Sequence, residues 1–376
     1  MIIDSHGHTV VPDEAYKFMA ELVASRANPY IAPTLTDAAV RGVAERLIKI
    51  LDSVGTDVQL LSPRPYMQMH SVKPARVTQL WTRFMNDLVY RQVQMFPDRL
   101  RGVASLPQHR ATSPENCLEE LDRCVKQLGF VGCLLNPDPT EGDGERPPGL
   151  GDKFWYPLYA KLVELDTPAL IHSASSCDPR ESYTLKFINE ESIAVISLLE
   201  SSVFQDFPRL KIVVPHGGGA IPYHMGRFRA WTLHRKETIT FDEKMRRLYF
   251  DTCNYSKEAI EFLLKVIGTD NVLFGTEKPG TGSAFDPVLK RDLDDLKPVI
   301  ESIEWLSASD RGKIFEHNCR KIYTKFDAHH ATHLRRTGAD GQPGTLDAAC
   351  TRRDDRADGT GTVMRFGVES FKADQN

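Results

Sequence analysis

Eight short apolar runs separated by polar or helical stretches set the strongest limit on how this chain folds. They are Met1–Asp4, Val58–Leu61, Arg101–Leu106, Phe130–Leu135, Pro168–Ile171, Leu210–Val214, Leu248–Phe250 and Val272–Phe274. The runs are mostly continuous rather than alternating, as expected for parallel strands covered on both faces. Helical patterns lie between most of them, at Asp37–Val54, Lys73–Met95, Lys153–Leu165, Glu191–Phe204 and Lys257–Ile267. Another helix opens at Ser113-Pro114-Glu115, with an N-cap and a first-turn proline, keeps Leu118, Leu121, Val125 and Leu128 at helical spacing, and stops at Gly129. Eight βα units predict a TIM-type (β/α)8 barrel. The competing arrangement, an open doubly wound sheet, lacks its usual GxGxxG after the first strand.

The 376 residues, 41% hydrophobic and 26% charged, leave room for such a barrel with insertions. Insertions are expected between Ala27 and Pro33, over Asn136–Gly151 (a loop on the active face) and over Ser283–Trp305. The composition then changes. From His329 to Asn376 the chain is rich in Gly, Arg, Asp and Thr with little apolar periodicity, which predicts a barrel over 1–327 and a tail of low order over 328–376. No apolar run approaches the ~18–20 residues of a membrane span, and the N-terminus has no secretory pattern. The net charge of −4 carries no nucleic-acid signature. Seven scattered cysteines, odd in number and without a CxxC pair, predict reduced thiols and a cytoplasmic setting rather than a disulfide framework.

Polar chemistry gathers where the runs end. In Asp4-Ser5-His6-Gly7-His8 the two histidines are two residues apart on an extended segment, so they face one way and can grip one cation, with Gly7 leaving room for it. His172 ends the fifth run, His216 the sixth, and Glu277 follows the eighth. Any one of these could merely cap its strand. Four strand ends bearing imidazole and carboxylate are better explained by convergence on one divalent metal, with Zn²⁺ best suited and Mn²⁺ or Fe²⁺ as alternatives. Arg64, just past the second run, and Arg227 or Arg229 are candidate clamps for substrate carboxylates. Asn136, Cys177 and Tyr183 are candidate pocket residues, weighed against simple packing. The His216-Gly217-Gly218-Gly219 stretch reads equally as a close approach to a ligand or as a tight turn.

These stretches, together with Gly129-Phe130-Val131-Gly132-Cys133, Phe154-Trp155-Tyr156-Pro157 and Pro215–His224, resemble the amidohydrolase superfamily over about residues 1–327. The nearer branch contains aminocarboxymuconate-semialdehyde decarboxylase and related decarboxylases and hydratases. The resemblance implies one divalent ion, usually zinc, held by His6, His8 and His172, with Glu277 where the decarboxylases usually carry aspartate. It implies His216 as the neighbouring acid or base, and either His216 or Glu277 is the candidate catalytic carrier of a proton to the substrate. The glutamate fits the hydratases of the branch that act on 4-oxalomesaconate, so the expected reaction is water addition to a conjugated tricarboxylate. The expected partners are a small polycarboxylate substrate and further copies of the chain, without nucleic acid or membrane. Decarboxylation of an aromatic or muconate-type acid, hydrolysis of a lactone or amide, and an inactive binding barrel are the alternatives.

Overall fold

A computed structural model of the chain describes residues 1–29, 34–110 and 112–328. The expected tail from residue 329 onward and most of the first insertion lie outside them. The expected runs become strands β1 (Ile3–His8), β2 (Val58–Ser62), β3 (Leu100–Ala104), β4 (Gly132–Leu135), β5 (Ala169–Ile171), β6 (Ile212–Val214), β7 (Tyr249–Asp251) and β8 (Val272–Leu273). They pair in sequence order, all parallel. The edges of the sheet are stitched together, because Ser5 N–H donates to the Phe274 carbonyl (2.8 Å) and Glu277 N–H to that of His6 (2.7 Å). The result is a nearly closed (β/α)8 barrel.

The helices follow from their sequence patterns. Asp37–Val54 is capped by the Thr36 hydroxyl and ended by Gly55 in the left-handed conformation, and it turns Val40, Val43, Ala44, Leu47 and Leu51 inward. Ala75–Met95 and Lys257–Ile267 also match their patterns. One helix differs. Instead of starting at Glu191 it runs Tyr183–Leu199, capped by Ser182, and a short separate helix covers Val203–Asp206. Its first turns show no inward apolar stripe, because Tyr183 and Leu185 are exposed while the polar Lys186 and Glu190 are buried.

Two sets of side chains fill the barrel. Ile3, Val58, Leu60, Val103, Leu170, Val213 and Leu273 form an apolar cluster at the end where the strands begin, capped from the C-terminal side by Ile322, Tyr323 and Phe326. Arg101 secures that cap: its Nε donates to the Phe326 carbonyl (2.9 Å) and its guanidinium lies over the Phe326 ring. At the other end the strands finish in polar groups. Five described cysteines are buried, Cys177 is exposed, and all six are free thiols. Among the described residues no helix is long and apolar enough to cross a membrane.

Candidate metal centre

A register shift aims the first two histidines. Ile3 pairs with Val58 and Asp4 with Gln59, but the next pair is Gly7 with Leu61, so β1 carries one extra residue. A one-residue slip moves side chains to the opposite face. Ile3 therefore points into the barrel with Val58, while beyond the bulge it is His8, opposite Ser62, that points inward. Gly7 has a different reason from the one expected. A Cβ there would lie 2.1 Å from Gln59, so the glycine makes room for that side chain, which bridges Asp4 and the Lys278 carbonyl.

His6, His8, His172 and Glu277 converge with their donor atoms within 4.8 Å of one another, all buried. Hydrogen bonds to the far side of each ring fix which nitrogen is free. His6 Nδ1–H donates to Asp251 (2.7 Å) and His172 Nδ1–H to the Ser173 carbonyl (2.9 Å). Ser62 spends its hydroxyl proton on the Gly7 carbonyl, so it accepts from His8 Nδ1–H at 2.8 Å. With Nδ1 engaged on each ring, all three Nε2 atoms face one point. His6 Nε2 and His172 Nε2 lie 3.1 Å apart, and the buried His8 Nε2 has no hydrogen-bond partner. Lone pairs held that close in low dielectric repel unless a cation or proton sits between them, so the donor set fits a divalent metal. Burial pushes His8 down to about 4 and His172 well below its ordinary value, which keeps both rings in the ligating, neutral form.

Glu277 and His216 adjoin this set. Glu277 Oε1 lies 3.7 Å from His8 Nε2, and Oε2 lies 3.9 Å from His216 Nε2. Burial would raise the Glu277 carboxyl, but the imidazoles of His8, His216 and His6 around it hold it well below its usual range. His216 Nδ1–H donates to the fully buried Glu191 at 2.6 Å. Burial would lower the His216 pKa, but Glu191, then Glu277 and Asp251, outweigh it and raise it to about 10. His216 is at φ 50°, followed by three glycines also at positive φ. Those glycines pack against Asn254, Phe250 and Ser192, where a Cβ would clash, so the stretch is a tight turn.

Arg64 is half-buried beside the site, its Nη2 donating to the Pro279 carbonyl (3.0 Å), and its charge bears on His8 and Tyr183. The Tyr183 ring stacks edge-on against Phe187, which in turn contacts His172 and His216. Cys177 stands exposed on the loop after β5, its N–H bonded to the Glu141 carbonyl. Asn136 is buried with its amide already engaged: its Nδ2 donates to His70 Nδ1 (2.9 Å) and its Oδ1 accepts from the Asp138 N–H. The structure does not bring Arg227 and Arg229 to the histidines. Arg229 forms a two-bond pair with Asp242 (2.6 and 2.7 Å) on the exposed helix Met225–His234, and Arg227 lines a hollow there with Glu200, Trp231 and His234. Helical periodicity carries both outward.

Sequence reasoning missed four supporting residues. Asp251 ends β7 just as the histidines end their strands, so the same rule finds it. Asp4, four residues from the start of the chain, is buried and ties β1 to Thr276. Glu191 sits mid-helix and Tyr255 in a turn, and neither has a local signal.

The family model of the amidohydrolases matches residues 3–325. The chain is 38% identical over 336 residues to the 2-keto-4-carboxy-3-hexenedioate hydratase of Sphingobium sp., covering 87% of this chain and 97% of that protein. It superposes on the crystal structure of 4-oxalomesaconate hydratase from Rhodopseudomonas palustris with a TM-score of 0.80 and 35% identity, covering 89% of this chain and 99% of that one. A gamma-resorcylate decarboxylase from a Rhizobium species is 26% identical over 309 residues, covering 75% of this chain and 87% of that protein.

Proposed function

This chain belongs to the amidohydrolase family, and from that premise we propose that it is a metal-dependent hydro-lyase. It adds water to the conjugated double bond of 4-oxalomesaconate (2-keto-4-carboxy-3-hexenedioate) and yields 4-carboxy-4-hydroxy-2-oxoadipate. The similarity to the hydratases over nearly the whole of their length supports this choice of substrate. One feature of the site carries it. A proton-bearing imidazole, His216, faces the same carboxylate, Glu277, that completes the donor set of His6, His8 and His172.

A Zn²⁺ ion, or Mn²⁺ in its place, held by those four residues would lower the pKa of a water ligand from ~16 towards ~7. The chain's own groups do the rest. The carbon far from the ketone gains hydroxide, and charge moves onto the keto oxygen. His216 Nε2 delivers a proton to the carbon between them, so the double bond becomes single; the proton given up by the added water restores the imidazolium. Glu191, on Nδ1, holds the ring in register and keeps it charged. Arg64 offers its guanidinium to a substrate carboxylate, with Tyr183 beside it. The reacting unit is residues 1–327, and its working form is a homo-oligomer in a reducing compartment, which light scattering of the purified chain checks for assembly.

The deciding experiment follows loss of enone absorbance with purified protein resupplied with Zn²⁺ or Mn²⁺. Turnover to a product with a new tertiary hydroxyl is expected, and no turnover with metal restored rejects the proposal. The decarboxylase relatives support a second reading, non-oxidative decarboxylation of an aromatic or muconate-type acid, which CO₂ release would select.

A further inference from the structure

We propose that Tyr255 is a positioning residue for the metal centre: it takes up one oxygen of Glu277 and leaves the other as the only carboxylate oxygen offered to the cation. The inference rests on the metal-dependent reading above. Tyr255 lies in the turn after β7, and its hydroxyl donates to Glu277 Oε2 at 2.6 Å while accepting from the Cys253 thiol at 3.3 Å. Its single proton is therefore committed to the glutamate. Oε1, which carries no such bond, is the oxygen turned towards His8 Nε2.

The surrounding backbone is shaped to hold this pair. Tyr255 (φ 59°) and Glu277 (φ 62°) are both in the left-handed region, which costs an ordinary residue of order 1 kcal/mol or more and persists only where packing imposes it. Gly280 and Gly282 pack onto them. A Cβ at Gly282 would lie 2.5 Å from the Tyr255 ring, and one at Gly280 would lie 2.9 Å from Glu277 Cγ and 2.4 Å from the Glu277 carbonyl oxygen. The segment around these glycines is itself tied down, because the Lys278 ammonium pairs with Asp292 (2.8 Å) and Asp294 (2.6 Å). A carboxylate free to rotate could offer both oxygens to a cation and fill the position that a catalytic site keeps open. One pinned by a short, charge-assisted hydrogen bond offers one.

The test is Zn²⁺ affinity of the full-length protein, measured by competition with a chromophoric chelator, for wild type, Tyr255→Phe, Glu277→Asp and the double variant. Tyr255→Phe keeps the ring beneath Gly282 but removes one donor from a buried carboxylate, so the thermal midpoint of the metal-stripped protein should fall by only a few degrees while Zn²⁺ affinity falls about 10–100-fold. Aspartate is one methylene too short to keep both contacts, so Tyr255→Phe should have little further effect in the Glu277→Asp background, and the cycle should be strongly non-additive. Gly282→Ala displaces the ring with its hydroxyl intact and should lower affinity in the same direction, which guards against a folding defect peculiar to the phenylalanine variant. A wild type that takes up no Zn²⁺ overturns the metal reading and this inference with it. Wild type and Tyr255→Phe binding Zn²⁺ equally, or additive effects across the cycle, overturn the inference alone.

Discussion

The two ends of the barrel are built on the same strands and serve opposite purposes. Ile3 and His6 share β1. Leu170 precedes His172 by two residues, Val213 precedes His216 by three, and Leu273 precedes Glu277 by four. At the lower end the side chains are carbon and pack against Ile322, Tyr323 and Phe326. At the upper end buried imidazoles and carboxylates crowd together, with His8 Nε2 unpartnered and three non-glycine residues, His216, Tyr255 and Glu277, at positive φ. The lower end supplies stability, and the upper end uses part of it to hold a donor set that is unfavourable without a cation.

Substitutions at either end separate the two roles. The largest effect is expected for His216→Asn, which should lower kcat about 10²–10⁴-fold while leaving a folded, metal-binding protein. Steady-state kinetics beside near-UV circular dichroism would check it, and near-wild-type turnover would remove His216 from the proposed proton transfer. At the lower end Phe326→Ala should cost about 3–5 kcal/mol in a denaturant titration, with kcat per folded molecule retained. A large kcat loss there would blur the division.

Metal provides a third point. Zn²⁺ at a hundred times its dissociation constant should stabilise wild type and Phe326→Ala alike by about 2.7 kcal/mol, and His8→Asn should lose that increment. Equal stabilisation of His8→Asn would place the ion elsewhere. A smaller effect concerns Tyr323, whose buried hydroxyl has no partner. Tyr323→Phe should stabilise by about 1 kcal/mol, since removing an unsatisfied group removes its desolvation penalty. Smallest of all, Arg229→Ala breaks an exposed pair with Asp242 and should cost under about 1 kcal/mol and leave KM unchanged. A raised KM would bring that arginine back to the substrate.

Most strands were legible because a strand covered on both faces needs a largely apolar run; β1 was legible only at its start, since Ile3–His8 continues through Asp4, Ser5, His6 and His8. Helices read less evenly. Asp37–Val54 shows a clean stripe and a capping threonine. Tyr183–Leu199 hides its start, since Lys186 and Glu190 are buried through ion pairs that no periodicity reveals; Lys186 Nζ is 2.8 Å from Asp138 and 3.2 Å from Glu190. At the site, the residues ending strands could be found and those reaching in from elsewhere could not. Glu191 meets His216 across 25 positions, and Arg227 looks like a clamp until the turn of its helix carries it outward.

The amino-acid order alone determined the barrel and the kinds of group that close its strands, because burial on both faces and strand periodicity are local constraints. Tertiary structure decided the rest. The bulge in β1 chose which face His6 and His8 occupy, the partners Asp251, Ser62 and Ser173 chose which ring nitrogens stay free, and Tyr255 reached Glu277 across 22 residues. Tautomer, register and the aim of a carboxylate depend on groups distant in the chain, and only folding sets those distances.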